Sequence, residues 1–317
     1  MSVGTPAAVE YLTGRREEPR PYVPVVSRLA AAVNQVPPEI FLSNATQQAN
    51  ALQSASRLFE PDAVFTGIDT TLVAEALGAT VAWSDDAERF ETAAPLAAPA
   101  DVAEPTTAPD RGRLPTAIDV SERLVASLDG PAVVGVVPGP LTTLEATFGD
   151  AAGLGTAQTK PVRTALGELG RAFGKAGVDA ILVYEDVETL TGGDAAAVTA
   201  ETLEVVGNIT DFYDTPLSLA PNGYDEAMVD AVVEETAPAA LLLDTDDPAA
   251  AADAHPDVRV GGGITADLLD ADPEEITDEI AARCRELPAS AFLASGRELP
   301  AAVHPTAVHA VREGYDA

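Results

Sequence analysis

Eight short, nearly unbroken apolar runs, set apart by longer stretches with helical periodicity, constrain this chain more than any other feature. The runs are Tyr22–Val26, Ala63–Gly67, Ala132–Val137, Ala180–Tyr184, Leu217–Ala220, Ala240–Asp244, Val258–Gly261 and Ser290–Ala294. Continuous rather than alternating apolar residues are what strands buried on both faces require. Helical patterns fill most of the gaps, over Thr46–Phe59, Val120–Leu128, Pro161–Ala176, Ala195–Phe212, Asp225–Glu235, Pro273–Leu287 and Pro305–Tyr315. Pro161, Pro273 and Pro305 each read as the opening of a helix, where a missing N–H costs nothing. Strands alternating with helices in this number predict an α/β fold, a (β/α)8 TIM barrel, as a single domain over residues 1–317.

One segment breaks the repeat. Residues 84–116, between the second and third barrel strands, are rich in Ala, Pro and acid and show little periodicity. They read as a flexible insertion, either a solvated loop or a lid over the barrel mouth, since long loops in compact domains are often functional. The Asp246–Ala254 run reads as a short Ala-rich helix on the outer ring.

Charge decides which partners the surface excludes. The chain carries 51 Asp and Glu against 18 Lys and Arg, a formal charge of −33, and Lys160 and Lys175 are its two lysines. Its 46% apolar residues suffice for a large core, so the acidity does not imply disorder. Phosphate binding needs clustered cations that release counterions, so neither nucleic acid nor an anionic membrane is expected as a partner. Self-repulsion of this size calls for screening, and the Debye length shrinks to roughly 3 Å at 1 M salt. The composition therefore predicts adaptation to a very salty cytoplasm and says little about function. Cys284 is the single cysteine, so no internal disulfide forms. No apolar leader precedes the first arginines and no run reaches about 18 apolar residues, which predicts a soluble, cytoplasmic protein.

In a barrel of this kind chemistry sits where strands end. The first strand leads to Arg28 and the second to Asp69. The third leads to Pro138-Gly-Pro-Leu-Thr142-Thr143, and the fourth to Tyr184-Glu185-Asp186. Asn222 follows the fifth strand, Asp244 the sixth, Gly261-Gly-Gly the seventh, and Arg297 the last. Each has a structural alternative. Asp69 and Asp244 could simply cap helices. The Pro-Gly-Pro-Leu-Thr stretch could be a turn with a cap, and Glu185 and Asp186 could be solvated. The triple glycine lacks the context of a dinucleotide fingerprint and instead lets backbone approach a ligand or a neighbouring strand. Arg297 is the most telling residue, because a guanidinium at the mouth of so acidic a chain points to an anion or to a carboxylate of the mouth itself.

Other chemistries lack their residues. His255, His304 and His309 fit no zinc spacing, and Cys284 falls within a predicted helix as a buried apolar residue. No nucleophile elbow or phosphate-binding loop occurs. Neither a metal nor another cofactor is expected from the residues.

Taken in order, the strand-end motifs resemble the superfamily of uroporphyrinogen decarboxylase, the corrinoid-linked methyltransferases and cobalamin-independent methionine synthase, from about Tyr11 to Tyr315. The carriers are Asp62-Ala-Val-Phe-Thr-Gly-Ile-Asp69 with Glu75-Ala-Leu-Gly78, Val133-Val-Gly-Val-Val-Pro-Gly-Pro-Leu-Thr142, Gly177-Val-Asp-Ala-Ile-Leu-Val-Tyr-Glu185, Val260-Gly-Gly-Gly-Ile264 and Ala294-Ser-Gly-Arg-Glu-Leu-Pro300. The superfamily fold is a (β/α)8 barrel. Asp69 matches the substrate-facing aspartate of the decarboxylases and Arg28 loosely matches an arginine. That family's second arginine falls at Ala32, its pocket tyrosine near Ala146 and its late histidine at Arg297. The methyltransferases hold zinc through His and Cys, but the matching positions here are Leu219, Pro221 and Arg297.

The resemblance implies a decarboxylase-like enzyme for an anionic, carboxylate-bearing, tetrapyrrole-type small molecule. Asp69 would be catalytic, and Arg28, Thr142, Tyr184, Glu185, Asn222, Asp244 and Arg297 would line the substrate site. Two alternatives stand beside it: methyl transfer without the usual zinc, with a corrinoid protein as partner, and a non-catalytic paralogue that binds an anion. A homodimer is the assembly common in the decarboxylase branch.

Overall fold

All eight apolar runs become strands, and they line up as one parallel sheet. The computed structural model describes residues 5–149, 155–190 and 193–317. In chain order the strands are β1 (Tyr22–Val23), β2 (Ala63–Phe65), β3 (Thr80–Ser84), β4 (Arg89–Ala94), β5 (Ala132–Pro138), β6 (Ala180–Leu190), β7 (Leu217–Tyr224), β8 (Ala240–Leu242), β9 (Arg259–Gly263) and β10 (Ala291–Ala294). Eight of them form a sheet in the order β1-β10-β9-β8-β7-β6-β5-β2, while β3 and β4 pair apart from it as an antiparallel hairpin. The sheet's two ends meet where the Asp62 N–H donates to the Tyr22 carbonyl at 2.9 Å and the Tyr22 N–H donates to the Asp62 carboxylate at 2.7 Å. This nearly closes a (β/α)8 TIM barrel.

Burial on both faces explains the apolar runs. Along β5, Ala132, Val134 and Val136 pack inside the barrel with Phe65, Leu182, Leu242 and Phe292. Their neighbours Val133 and Val137 pack outward against the helical layer, with Leu141, Leu166 and Phe173. The helix Ala7–Leu12 closes the floor: Ala8, Val9 and Tyr11 join the interior cluster, and the Tyr11 hydroxyl donates to the Ala289 and Ala291 carbonyls. At Gly261 of the triple glycine, a Cβ would lie 2.7 Å from the Phe292 ring, so the absent side chain is what lets β9 and the β10 aromatic share the interior.

Helix boundaries depart from the sequence reading at instructive places. Pro273 and Pro305 do open helices, Pro273–Glu286 and Pro305–Tyr315. Pro161 does not: it lies inside the helix Thr156–Ala176, whose N-cap is Gly155. One proline in the second turn forfeits a single backbone bond, and the packing of Val162, Ala165, Leu166 and Leu169 outweighs it. β1 ends at Val23 rather than Val26, and after Pro24, Val25 and Val26 the helix Ser27–Val33 begins, carrying Arg28 in its first turn. β6 and β7 overrun their expected ends, pairing Glu185 with Pro221, Asp186 with Asn222 and Leu190 with Tyr224, and so raise one wall of the mouth.

Residues 84–116 are organised rather than loop-like. They hold the end of β3, all of β4, the 3-10 turns Pro99–Asp101 and Pro105–Asp110, and the first turn of the helix Leu114–Ser127. Trp83 and Phe90 meet edge to face across the hairpin, with ring centroids 5.2 Å apart. Its strands are exposed or half-buried throughout, so they show neither apolar run that marks a barrel strand. No helix among the described residues is long and apolar enough to cross a membrane.

Candidate functional site at the barrel mouth

The mouth is built from backbone outward, beginning with β6. Glu185 is wholly buried beneath the N-terminus of the helix Pro140–Phe148. Its Oε1 accepts from the Leu141 N–H at 3.1 Å and the Tyr224 hydroxyl at 2.8 Å. Its Oε2 accepts from the Thr142 N–H at 2.9 Å and the Thr142 hydroxyl at 2.5 Å. A carboxylate at a helix N-terminus satisfies orphan N–H groups and complements the helix dipole. Burial pushes the Glu185 carboxyl up from its ordinary range, and the donors from Thr142, Tyr224 and Leu141 pull it back. The packing is close enough to dictate Gly139, where a Cβ would lie 2.0 Å from the Glu185 carboxyl carbon. The Thr142 hydroxyl also accepts from the Asp186 N–H at 2.8 Å, fixing the chain on which Asp186 turns toward the opening.

On the opposite wall, Asp69 anchors the turn into the helix Leu72–Leu77. Its Oδ1 accepts from the Thr71 N–H at 3.0 Å and the Thr71 hydroxyl at 2.8 Å. Its Oδ2 pairs with Arg113, whose Nε donates to Glu75 at 3.0 Å and whose Nη2 donates to the Thr71 hydroxyl at 2.8 Å. The Arg113 guanidinium also lies 3.6 Å over the Phe90 ring. Arg113 thus ties the hairpin, the helix Leu72–Leu77 and Asp69 into one buried network. Asp69 does not cap that helix, whose N-cap is Thr71; its carboxylate braces Thr71 in the preceding turn and lines the mouth.

A cavity of about 370 Å³ opens between these walls. Arg28, Asp69, Tyr184 and Arg297, four residues from four different strand ends, all line it, as do Arg89, Phe90, Asp186 and Glu298. Each guanidinium has an acidic partner. Arg28 Nε lies 3.0 Å from Glu298, whose other oxygen accepts the Arg28 N–H at 2.8 Å. Arg297 reaches Asp186 at 3.3 Å and Asp244 at 3.2 Å, and Arg89 approaches Asp186 at 3.8 Å. The Arg28, Arg89 and Arg297 side chains are 40–48% exposed, so water reaches these pairs and each is individually weak. Burial raises the Glu298 carboxyl to about 7 against the pull of Arg28, and it raises the Tyr184 hydroxyl well above its usual value.

The remaining expected residues lie around this cavity rather than in it. Thr142 lines an adjoining space of about 530 Å³ that shares Thr70, Arg89, Phe90 and Asp186 with the first. Asp244 lines a third, beside Asp246, Asp267 and Arg283, and its partner is Arg297, while Asp247 caps the helix Pro248–Ala254. Glu185 and Asn222 are buried ties: the Asn222 amide donates to the Gly296 carbonyl at 3.2 Å and holds the loop that presents Arg297. Arg89, Phe90, Arg113 and Glu298 were not anticipated as site residues. The scarcity of cations was the available signal for Arg89 and Arg113, since three arginines (Arg89, Arg111 and Arg113) in an acid-rich insertion stand out.

Metal ligation finds no donor set here. Leu219 is buried in the apolar core, Pro221 offers no ligating side chain, and Arg297 is engaged in ion pairs, so the zinc of the methyltransferases does not fit these residues. Among the described residues no group of three or more His, Cys, Asp or Glu side chains is placed to hold a metal ion. His304 instead caps the helix Pro305–Tyr315, its Nδ1 accepting the Thr306 N–H.

Comparison with known proteins places this geometry. Residues 9–161 match the uroporphyrinogen decarboxylase (URO-D) family model. A methyltransferase from Methanosarcina mazei superposes with a TM-score of 0.82 at 17% identity, covering 97% of this chain and 96% of that one. A B12-independent methionine synthase from Shewanella sp. W3-18-1, in complex with selenomethionine, gives 0.52 at 14% identity, covering 86% and 87%. No curated protein sequence matches the chain. Residues 9–161 therefore carry a sequence pattern similar to that of the decarboxylase family, and the whole chain shares the barrel fold of these two structures.

Proposed function

We propose, from the match of residues 9–161 to the uroporphyrinogen decarboxylase family model, that the barrel mouth binds a carboxylate-bearing small molecule and decarboxylates it. The observation that carries this reading is the convergence of Arg28, Arg89 and Arg297 on one cavity, each on a carboxylate partner that an incoming anion can replace or share. Guanidinium forks match carboxylates bidentately, and exposed pairs exchange at little cost. In the reaction the bond to the departing CO2 breaks, its electron pair stays on carbon, and that carbon takes a proton. The arginines would hold the substrate's carboxylates. Asp69 has both lone pairs of Oδ1 occupied by Thr71 and one of Oδ2 by Arg113, which leaves Oδ2 room for one substrate N–H. Its part would be to orient that donor.

A second reading, metal-free methyl or one-carbon transfer, draws on the full-length likeness to the Methanosarcina mazei methyltransferase and has equal support. Incubating the protein with uroporphyrinogen in roughly 1 M KCl, where its charge is screened, separates the readings. Decarboxylated products support the first. Their absence, with methyl transfer from a corrinoid protein, supports the second. Ligand binding with neither activity would make the barrel a non-catalytic anion-binding paralogue and overturn both.

A further inference from the structure

We infer that a carboxylate binding at Arg28 is taken up together with a proton, and that Glu298 is the group that receives it. This rests on the reading of the mouth as a carboxylate site and adds to it a coupling that no family motif specifies. Glu298 sits directly after Arg297 at the end of the last barrel strand and lines the cavity, yet its side chain is only 10% exposed. One of its oxygens accepts the Arg28 backbone N–H at 2.8 Å and the other pairs with Arg28 Nε at 3.0 Å, with the Ser27 hydroxyl also beside the carboxyl. The groups facing it across the cavity are Tyr184 and Asp186 from β6, Asp69 after β2, Arg89 from the hairpin, and its own neighbour Arg297. Of the three cavity-lining cations, Arg297 is drawn to Asp186 and Asp244, and Arg89 to Glu91 and more distantly Asp186, which leaves Arg28 as the sole ion-pair partner of Glu298 among the described residues.

Arg28 uses its Nε edge on Glu298, and it makes no other ion pair among the described residues. A ligand carboxylate arriving on the Nη edge puts two carboxylates on one guanidinium. In a partly desolvated site one positive charge cannot neutralise both, and the more buried of the two carboxyls takes a proton. Glu298 is that carboxyl, already held at about 7 by burial. Once neutral it still accepts the Arg28 backbone N–H, so the loop need not move for the proton to be taken up.

The test uses the intact protein in roughly 1 M KCl and succinate as the probe. Its carboxylates stay ionised at neutral and alkaline pH, given ordinary carboxyl values of about 4. Calorimetry is run across neutral to alkaline pH, in two buffers of different ionisation enthalpy, on the wild type and Glu298→Gln. The expected result is a wild-type affinity that falls about tenfold per pH unit above about 7, with about one proton absorbed per succinate bound. Glu298→Gln should bind with a flat pH profile and absorb none. A wild-type profile that is flat, with no buffer-dependent heat, or a slope that survives in Glu298→Gln, overturns the coupling and leaves the anion site standing. Failure of succinate to bind the wild type at any pH overturns the anion site and the coupling with it. Should the variant fail to fold, the wild-type slope and buffer heats alone still decide.

Discussion

Replacing Glu185 by Gln removes one oxygen from a carboxylate that serves four donors, and the structure fixes what that costs. Each oxygen faces one backbone N–H that cannot reverse its polarity, Leu141 at 3.1 Å on one side and Thr142 at 2.9 Å on the other. Whichever way the amide turns, its NH2 group meets an N–H. The hydroxyls offer little relief: that of Thr142 already accepts from Asp186, and that of Tyr224 is shared with Thr199 at 2.9 Å. A buried donor left without an acceptor costs about 1–3 kcal/mol, and loss of the anion at a helix N-terminus adds about 0.3–1 kcal/mol. Relief of the desolvation that raises the Glu185 carboxyl offsets part of this, leaving a net loss of about 1–3 kcal/mol. An unfolding entropy of about 2.1 cal/mol/K per residue converts that, for 317 residues, to a Tm lower by roughly 2–5 °C. Calorimetry or circular dichroism in high salt measures it. A variant as stable as the wild type would refute the view that Glu185 holds the helix Pro140–Phe148 in place.

Three further outcomes follow from the same contacts. Arg113→Met breaks a pair whose side chains are 10% and 4% exposed, and should cost about 3–5 kcal/mol while speeding proteolysis within residues 80–94; an unchanged cleavage pattern would deny Arg113 its part in holding the hairpin. Because burial raises Glu298 above its ordinary 4.5 to about 7, its contribution is complete below about pH 4.5 and is lost as pH rises through about 7. Denaturant titrations should therefore find the wild type losing about 3 kcal/mol relative to Glu298→Gln over that window. With a formal charge of −33, lowering KCl from about 1 M to about 0.1 M should lower the wild-type Tm, and a salt-independent Tm would contradict the reading of the acidity as adaptation.

The barrel was legible because its strands are buried on both faces, and that condition writes itself into eight apolar runs such as Ala132–Val137 and Ala180–Tyr184. The hairpin was not legible, because β3 and β4 are half-exposed and carry Arg89, Glu91 and Trp83 where a buried strand would carry Val or Ile. Arg28, Asp69, Tyr184 and Arg297 could be placed at one mouth from topology alone, since a parallel barrel sends every strand end to the same rim. The partners of those residues could not. Arg113 meets Asp69 across 44 residues of sequence through an insertion without periodicity. Glu185 and Asn222 bond largely to backbone atoms of Leu141, Thr142 and Gly296, which leave no trace in residue identity. Pro161 misled because a proline inside a long, well-packed helix looks in sequence like one at its start.

A crystal structure grown in high salt with succinate puts the anion site most directly to the test. The account predicts a ligand carboxylate within about 3 Å of the Arg28 or Arg297 guanidinium, with the Asp186 and Asp244 pairs loosened around it. Ligand ordered elsewhere on the molecule, with the ion pairs of the mouth unchanged, would contradict it.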